Sequence, residues 1–216
     1  MQKYKLIIFD LDGTLLDTLT DLKNAVNYAL ISQGFPKRTL EEVREFIGNG
    51  TKVLMKRALP SDVDEETYAE AYNDFINYYL SHDKVFTKPY DEIIELLKTL
   101  KEKGYHTAVI SNKNDVAAKA LVNLYFNDLI DITIGTRDFN KTKPNPESTL
   151  EAMHHFNYTN KECVFVGDSD VDIATATNAG LPCISVSWGF RSKEFLKSHQ
   201  AQIIIDSPKE LLKHIW

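Results

Sequence analysis

Four aspartates in two short motifs are the side chains of this chain best suited to chemistry. Asp10 and Asp12 lie in the run Asp-Leu-Asp-Gly, and Asp168 and Asp172 are four residues apart on one face of a predicted helix start. If the fold brings these carboxylates together, they cannot all stay ionised without a cation. Mg²⁺ fits, because it takes oxygen ligands and binds through one or two carboxylates plus waters and a substrate phosphate. The four aspartates therefore predict a magnesium site.

A second set of residues suits a phosphate group. Gly13 lets backbone N–H groups approach phosphate oxygens closely, and Ser111 and Asn112 can donate hydrogen bonds to the same group. Lys143 can neutralise the charge that phosphoryl transfer spreads over the equatorial oxygens, with Lys141 as a competitor for that role. Structural alternatives stay open, since the run from Ser111 could cap a helix and a loop lysine can simply be solvated.

The first motif could carry out covalent chemistry on such a phosphate. An ionised Asp10 is a competent nucleophile that would form an aspartyl-phosphate. Asp12, two residues further on, could protonate the leaving oxygen and then activate water. The two acids together predict hydrolysis of a phosphate ester.

The elements that must position these residues follow a βαβ pattern. Leu6 to Phe9 is a short apolar run typical of a strand buried on both faces. Further strands are predicted at 106–110, 129–134, 163–166, 183–186 and 203–205, with helices between them. Asn145-Pro146 predicts a helix whose first residue is the proline. The pattern predicts an α/β fold with a parallel-sheet, Rossmann-like core, in which Asp10, Ser111 and Asp168 follow strands that end at one edge.

The stretch after the first strand has a different pattern. Between Leu19 and His82 no strand is indicated. Apolar residues recur at helical spacing from Leu22 to Leu30, with Gly34 closing the segment, and helices are also predicted from about 40 to 47, over Val53 to Leu59 with its end at Pro60, and from about 65 to 80. We therefore predict a small, all-helical cap at 17–83, inserted into a catalytic core formed by 1–16 and 84–216.

Composition limits the class of protein. The chain has 216 residues and a net charge of −6, which argues against a nucleic-acid footprint. No apolar run is long enough to suggest a signal peptide or a membrane span, so we expect a cytoplasmic protein without membrane partners. Cys163 and Cys183 lie in apolar surroundings and are predicted to be buried and reduced. The expected partner is a small phosphorylated metabolite, and the chain is expected to be a monomer or a homodimer.

Taken together, the motifs resemble a known set. They are Asp10-Leu-Asp12-Gly13-Thr14, Ser111-Asn112, Lys143-Pro144 and Gly167-Asp168-Ser169-x-x-Asp172, and they resemble the four motifs of the phosphatase branch of the haloacid dehalogenase superfamily. The resemblance covers the whole chain and implies that Asp10 is the nucleophile and Asp12 the general acid/base. It implies that Asp10, the backbone carbonyl of Asp12 and Asp168 hold Mg²⁺, with Asp172 in support. It also implies that Thr14, Ser111, Asn112 and Lys143 position the phosphoryl group, and that the cap closes over substrate.

Two further features resemble the phosphoglycolate phosphatases within that superfamily. One is the turn Gly48-Asn49-Gly50 followed by a helix that carries Arg57, and the other is Ser187-Trp188-Gly189-Phe190. The turn and Arg57 could bind the glycolate carboxylate, or they could be a plain helix–helix turn and a solvated surface residue. The stretch Gly135-Thr136-Arg137-Asp138 departs from the Gly-Gly-Asp expected there, which puts the exact substrate in doubt.

We therefore predict an Mg²⁺-dependent phosphatase that acts through a phospho-aspartate on 2-phosphoglycolate. Alternatives of the same fold are a pyrophosphatase, a broad phosphatase for sugar or nucleotide phosphates, and a β-phosphoglucomutase-like mutase. An alternative of a different class is a phospho-accepting receiver domain, which also holds an aspartate and Mg²⁺ in an acidic pocket. A receiver has no helical insert and no acid placed to activate water, so both features favour the enzyme.

Overall fold

A parallel sheet of six strands forms the centre of the computed structural model, which describes residues 3–138 and 141–216. The strand order is β5-β4-β1-β6-β7-β8, and every neighbouring pair is parallel. The strands are β1 (Leu6–Phe9), β4 (His106–Asn114), β5 (Ile132–Thr136), β6 (Cys163–Gly167), β7 (Cys183–Val186) and β8 (Ile203–Ile205). β1 therefore lies in the middle, between β4 and β6, and the carboxyl ends of all three meet at one edge.

Both faces of β1 are buried, as its unbroken apolar sequence requires. Ile7 and Phe9 belong to a core cluster on one face of the sheet, and Leu6 and Ile8 belong to a second cluster on the other. The helices that flank the sheet are α5 (Ile93–Glu102), α6 (Asp115–Tyr125), α7 (Glu147–His155), α8 (Asp170–Asn178), α9 (Lys193–Ser198) and α10 (Leu211–Ile215). The predicted α/β class with a parallel, Rossmann-like core is confirmed.

The chain divides into two compact units. One comprises Met1–Leu16 and Pro89–Trp216, and the other is Asp17–Lys88. The chain passes between them at β2 (Leu16–Asp17) and β3 (Lys88–Pro89), which pair with each other in a two-stranded sheet. The sheet and the four sequence motifs lie in the first unit.

The second unit, Asp17–Lys88, is helical. Its helices are α1 (Leu19–Ser32), α2 (Leu40–Phe46), α3 (Thr51–Ala58) and α4 (Glu65–His82). Local sequence fixes the starts of α2 and α4, because Thr39 and Glu42 form a reciprocal capping box and Asp64 caps α4. Four aromatic residues lie along one face of α4, namely Tyr68, Tyr72, Phe75 and Tyr79. Phe75 and Tyr79 are buried, whereas Tyr68 and Tyr72 are partly exposed.

Some predicted boundaries differ from the structure. The strand predicted from Leu129 begins only at Ile132, because Asn127–Leu129 forms a 3₁₀ turn. The helix predicted to begin at Pro146 begins at Glu147, whose N–H is capped by the side chain of Asn145. The helices at 193–198 and 211–215 are too short to give a clear 3.6-residue period and were not predicted from it.

The expectations about membrane spans and cysteines can be compared with the structure. In the part of the chain that the structure describes, no helix has the length and apolar character needed to cross a membrane. Both cysteines are free thiols; Cys163 is buried, whereas Cys183 is only partly buried and so less enclosed than predicted.

Candidate active site

Asp10 lies directly after β1, at the carboxyl edge of the sheet. Its backbone N–H continues the pairing with β6 through the carbonyl of Val166, at 2.9 Å, so the chain is held in register up to the acid. The side chain is buried and accepts a hydrogen bond from the ammonium of Lys143, with 2.7 Å between Nζ and Oδ1. The central strand thus delivers a carboxylate to a fixed point at the edge.

Lys143 connects two of the predicted aspartates. Its Nζ lies 2.7 Å from Oδ1 of Asp10 and 2.6 Å from Oδ1 of Asp172, and its side chain is only 4% exposed. Asn112 holds the lysine backbone from both sides, because Lys143 N–H donates to Oδ1 at 2.7 Å and Nδ2 donates to the lysine carbonyl at 3.1 Å. Lys141 instead pairs with Glu147 in solvent. The structure therefore brings Lys143, and not Lys141, to Asp10.

Asp168 and Asp172 lie where β6 passes into α8. Ser169 and Asp172 form a capping box at the helix start, in which Oδ2 of Asp172 accepts from both N–H and O–H of the serine. Oδ2 of Asp168 accepts from the Phe190 N–H at 2.6 Å. Both oxygens of Asp172 are therefore used by protein donors, whereas Asp168 is held mainly through one.

The three buried aspartates carry more negative charge than Lys143 balances. Burial first, and the Asp172 carboxylate second, raise the pKa of Asp168 to about 7. The same two causes hold the pKa of Asp10 well above its usual value. Burial alone would lower the pKa of Lys143, but Asp10 and Asp172 outweigh it and raise the pKa. A further cation would relieve the repulsion among the acids.

The donor set fits a divalent cation. Carboxylate oxygens of Asp10, Asp168 and Asp172 lie within 4.8 Å of one another, and all three residues are buried. These are hard oxygen donors. A protein usually binds Mg²⁺ through one or two carboxylates, and waters and a substrate phosphate supply the remaining ligands. Because Asp172 already accepts from Lys143 and Ser169, Asp10 and Asp168 are the better placed ligands, and Asp172 supports Lys143.

Asp12 is separated from this group. Its carboxylate accepts from Nζ of Lys113 at 2.9 Å, and it is not a member of the acid group formed by the described residues. A role in metal binding through its backbone carbonyl stays a prediction. The side chain thus lies outside the acid group while remaining two residues from Asp10, as a separate acid/base would require.

Gly13 lies in the turn that follows Asp10, next to Asp168. Its φ is 92°, a conformation that favours glycine, and its N–H donates to the Leu16 carbonyl at 2.8 Å within the turn. A Cβ at this position would lie 2.6 Å from Oδ2 of Asp168. Gly13 therefore provides space for Asp168, and its role in the approach of backbone N–H groups to a phosphate stays a prediction. Thr14, next in the turn, directs Oγ1 at Oδ1 of Asp168 from 3.4 Å.

Ser111 and Asn112 lie in the last part of β4, next to β1. The Ser111 hydroxyl accepts from the Lys113 N–H at 3.1 Å. The alternative that this run caps a helix is wrong, because the side chain of Asn114 caps α6 by accepting from Val116 and Ala117. Ser111, Asn112 and Lys143 also line a cavity of about 250 Å³. The departure from the expected pattern at Gly135-Thr136-Arg137-Asp138 falls on the same cavity wall.

Two groups of residues around this site were not assigned a role from sequence. Lys113 follows Ser111-Asn112 directly, and its position at a strand end beside β1 is the signal that could have indicated it. The loop after β7 is the other, since Trp188 Nε1 donates to the Thr14 carbonyl at 3.0 Å. Gly189 in the same loop packs so tightly that a Cβ would collide with the Cβ of Asp168 and the carbonyl oxygen of Gly13.

The predicted substrate residues of the inserted unit lie together within that unit. The guanidinium of Arg57 donates to the Phe46 carbonyl and to Oδ1 of Asn49, both at 2.9 Å. Gly48 and Gly50 both have positive φ, and Gly50 is the residue before α3. Arg57 therefore fixes the Gly48-Asn49-Gly50 turn, and contact of these residues with substrate stays a prediction.

Known proteins similar to this chain are phosphatases and other hydrolases, which agrees with the arrangement of acids and lysine at the carboxyl edge of the sheet. Residues 7–186 match the family described as haloacid dehalogenase-like hydrolase. The phosphoglycolate phosphatase of Aquifex aeolicus is 31% identical over 97% of this chain and 95% of that protein. The phosphoglycolate phosphatase of Aliivibrio fischeri is 33% identical over 96% of this chain and 95% of that protein. Among solved structures, a Lactobacillus delbrueckii subsp. bulgaricus protein provisionally assigned as a phosphoglycolate phosphatase has a TM-score of 0.95 and 34% identity, covering 100% of this chain and 99% of that one.

Proposed function

Because the chain belongs to the haloacid dehalogenase-like hydrolase family and is a phosphatase, we propose that it hydrolyses 2-phosphoglycolate with Mg²⁺ through a phospho-aspartate on Asp10. The observation that carries the mechanism is Lys143, whose Nζ lies between Asp10 and Asp172 beside Asp168. An ammonium buried at this point has no use in packing and costs free energy to bury. It suits a site where a phosphate brings further negative charge.

In the first step, Asp10 is the nucleophile. An oxygen of Asp10 bonds to phosphorus while the bond from phosphorus to the leaving oxygen breaks, and Asp12 gives a proton to that oxygen. Lys143 and the polar groups of Ser111, Asn112 and Thr14 hold the phosphoryl oxygens in line. Mg²⁺ held by Asp10, Asp168 and the Asp12 carbonyl, with Asp172 in support, would supply positive charge against the transferring group.

In the second step, water replaces the aspartate. Asp12 takes a proton from the water as its oxygen bonds to phosphorus, and the bond from phosphorus to Asp10 breaks. Phosphate leaves, and both acids return to their starting protonation. The separation of Asp12 from the cation group supports this division of labour, because an acid that ligated the metal through its side chain could not exchange protons in this way.

The choice of 2-phosphoglycolate is supported by the names of relatives such as those of Aquifex aeolicus and Aliivibrio fischeri. The Gly48-Asn49-Gly50 turn held by Arg57 remains a candidate for leaving-group recognition. The sequence Gly135-Thr136-Arg137-Asp138, which differs from the Gly-Gly-Asp expected there, is the feature that favours a different substrate.

Phosphate release across a substrate panel tests the proposal. The panel is 2-phosphoglycolate, pyrophosphate, glucose 1-phosphate, glucose 6-phosphate and nucleoside monophosphates, each with Mg²⁺ and after chelation. We expect a kcat/KM for 2-phosphoglycolate at least about tenfold above the others, equal to about 1.4 kcal/mol of transition-state discrimination. Equal rates on all esters would favour a broad phosphatase, preference for pyrophosphate would favour a pyrophosphatase, and conversion of glucose 1-phosphate into glucose 6-phosphate would favour the mutase.

A further inference from the structure

Lys113 is a second buried lysine at the carboxyl edge of the sheet, and the proposed reaction gives it no role. Its side chain is 5% exposed, close to the 4% of Lys143. The other lysines in ion pairs of the described residues are much more exposed, from 39% for Lys193 to 70% for Lys209. A buried ammonium is costly, so its retention points to a use at the site.

The backbone of Lys113 is fixed by its neighbours. Its N–H donates to the Ser111 hydroxyl at 3.1 Å, within β4. Gly135 of β5 approaches so closely that a Cβ there would lie 2.7 Å from the Lys113 carbonyl oxygen. Oδ1 of Asp115 accepts from the Gly135 N–H at 2.9 Å and holds this approach. The ammonium is therefore carried by a rigid strand end, as a binding group should be.

The contact with Asp12 shows where the ammonium lies relative to the reaction. Nζ lies 2.9 Å from Oδ1 of Asp12, and Oδ2 of Asp12 has no hydrogen-bond partner among the described residues. Oδ2 is thus the oxygen left to exchange a proton with the leaving oxygen. The ammonium and the leaving oxygen then lie on either side of one carboxyl group.

We propose that Lys113 binds a carboxylate carried by the leaving group on the carbon next to the ester oxygen. Such a carboxylate is separated from the leaving oxygen by one carbon and can reach the ammonium while that oxygen contacts Oδ2 of Asp12. An ammonium can donate up to three hydrogen bonds, so serving two carboxylates at once is within its capacity. This inference rests on the proposed function and names its substrate class: esters of phosphate with 2-hydroxy acids.

Charge complementarity supports the same assignment. The second unit offers Arg57 as a cation, but its guanidinium already donates to Phe46 and Asn49 within that unit. Lys113 lies in the same unit as Asp10 and Asp12, so its distance from the reacting atoms is fixed by the sheet itself. A carboxylate recognised there is recognised at the reacting end of the substrate.

Lys113 could bind the substrate carboxylate, or it could act only on the acid/base Asp12. Two substrates that differ only in the carboxylate distinguish these roles. They are 2-phosphoglycolate and ethyl phosphate, and the measured quantity is the ratio of their kcat/KM values. We expect Lys113→Met to lower this ratio about thirtyfold, the size expected when one hydrogen bond to a charged group is lost. Lys113→Arg keeps the charge and should retain most of the ratio. Lys101→Met is the matched control, because Lys101 pairs with Asp128 in solvent and should leave the ratio unchanged.

The opposing results are distinct. If Lys113→Met lowers kcat/KM for both substrates equally, Lys113 acts only on Asp12 and the carboxylate site is overturned. The same conclusion follows if Arg57→Ala removes the preference for 2-phosphoglycolate and Lys113→Met does not. If the wild-type protein itself shows no preference for 2-phosphoglycolate over ethyl phosphate, the proposed substrate fails first, and the inference falls with it. Should Lys113→Met not fold, as judged by circular dichroism, Lys113→Gln replaces it in the same comparison.

Discussion

The two edges of the central sheet treat charge in opposite ways. At the carboxyl edge, the pair of Lys143 and Asp10 is buried, with side chains 4% and 11% exposed. At the amino edge, Lys5 and Glu162 precede β1 and β6 and form a pair of similar length, 2.8 Å, with side chains 54% and 30% exposed. Exposed pairs contribute little to stability, whereas buried pairs cost desolvation and are maintained by precise partners. The comparison indicates that the carboxyl edge sacrifices stability to hold buried charges for chemistry. The charges at the amino edge are exposed, cost little stability and take no part in the chemistry.

Replacing the nucleophile should have the largest effect at the carboxyl edge. Asp10→Asn preserves shape but cannot form the aspartyl-phosphate, so we expect phosphate release to fall by at least about 10⁴-fold, as for other nucleophile replacements. The fold should persist, because the change removes one of three crowded carboxylates. Phosphate release and thermal unfolding by circular dichroism measure both outcomes, and appreciable turnover by a folded variant would contradict the assignment of Asp10.

Removing the buried cation should have the next largest effect. Lys143→Ala takes away a preorganised charge beside the phosphoryl group, and we expect a loss of at least about a hundredfold in kcat. It also leaves Asp10 and Asp172 without their ammonium, which should lower the free energy of unfolding by about 3 kcal/mol in the absence of Mg²⁺. Urea unfolding and steady-state kinetics measure the two effects.

Lys141→Ala is the matched control for that variant, because Lys141 forms an exposed pair with Glu147. It should change kcat by no more than about twofold, as expected of an exposed pair. If Lys141→Ala were the more damaging change, the lysine at the site would be wrongly assigned.

The loop after β7 offers a smaller test of the same edge. Gly189→Ala would place a Cβ against Asp168 and Gly13, so Asp168 must shift. Outer-shell changes of this kind typically cost about tenfold or more in metal affinity. We expect that loss in Mn²⁺ binding measured by electron paramagnetic resonance, with a matching rise in the Mg²⁺ concentration needed for turnover. Gly104→Ala is the control, since Gly104 has open space around its Cβ position, and its φ of 77° makes alanine strain the backbone there without touching Asp168. Equal metal affinity in both variants would show that the Gly189 loop does not hold Asp168.

The sequence predicted the fold and the place of the site well where one structural requirement, such as burial of a strand on both faces, determines several consecutive residues. The apolar run Leu6 to Phe9 predicted the central strand, and the acids after it predicted the edge at which the site forms. Boundaries were less accurate where a local contact decides them, as at Ile132, where a 3₁₀ turn delays the strand.

Residues whose role depends on side-chain direction could be predicted only in part. Lys141 and Lys143 lie two residues apart in one loop; the sequence favoured Lys143 but left Lys141 as a competitor, and the bonds with Asn112 and the contacts with Asp10 and Asp172 distinguish them in the structure. Lys113 is a further example: its place at a strand end can be read from the sequence, but its contact with Asp12 cannot. These contacts are between residues distant in the chain, and the periodicity of single elements carries no information about them.

The amino edge provides the smallest effect and so the sharpest test of the comparison. Glu162→Gln removes the charge that pairs with Lys5 but can keep the capping box with Thr159, since glutamine also serves in that position. We expect kcat and KM within about twofold of the wild-type values, because the pair is exposed and lies at the opposite edge from the site. A loss of more than about tenfold would contradict the division between the two edges.

The stability of the same variant, Glu162→Gln, measured at two pH values gives a further test. The hydrogen bond from Lys5 first, and those from Thr159 next, lower the pKa of Glu162 from its usual 4.5 to about 2. Because the folded pKa is depressed, the stabilisation is present above pH 4.5 and is lost as the pH falls towards 2. The urea midpoint of the wild-type protein should therefore exceed that of Glu162→Gln at pH 7, and the difference should shrink at pH 3. A difference that stays constant would mean that the charge of Glu162 contributes nothing and that the variant acts through the capping box alone.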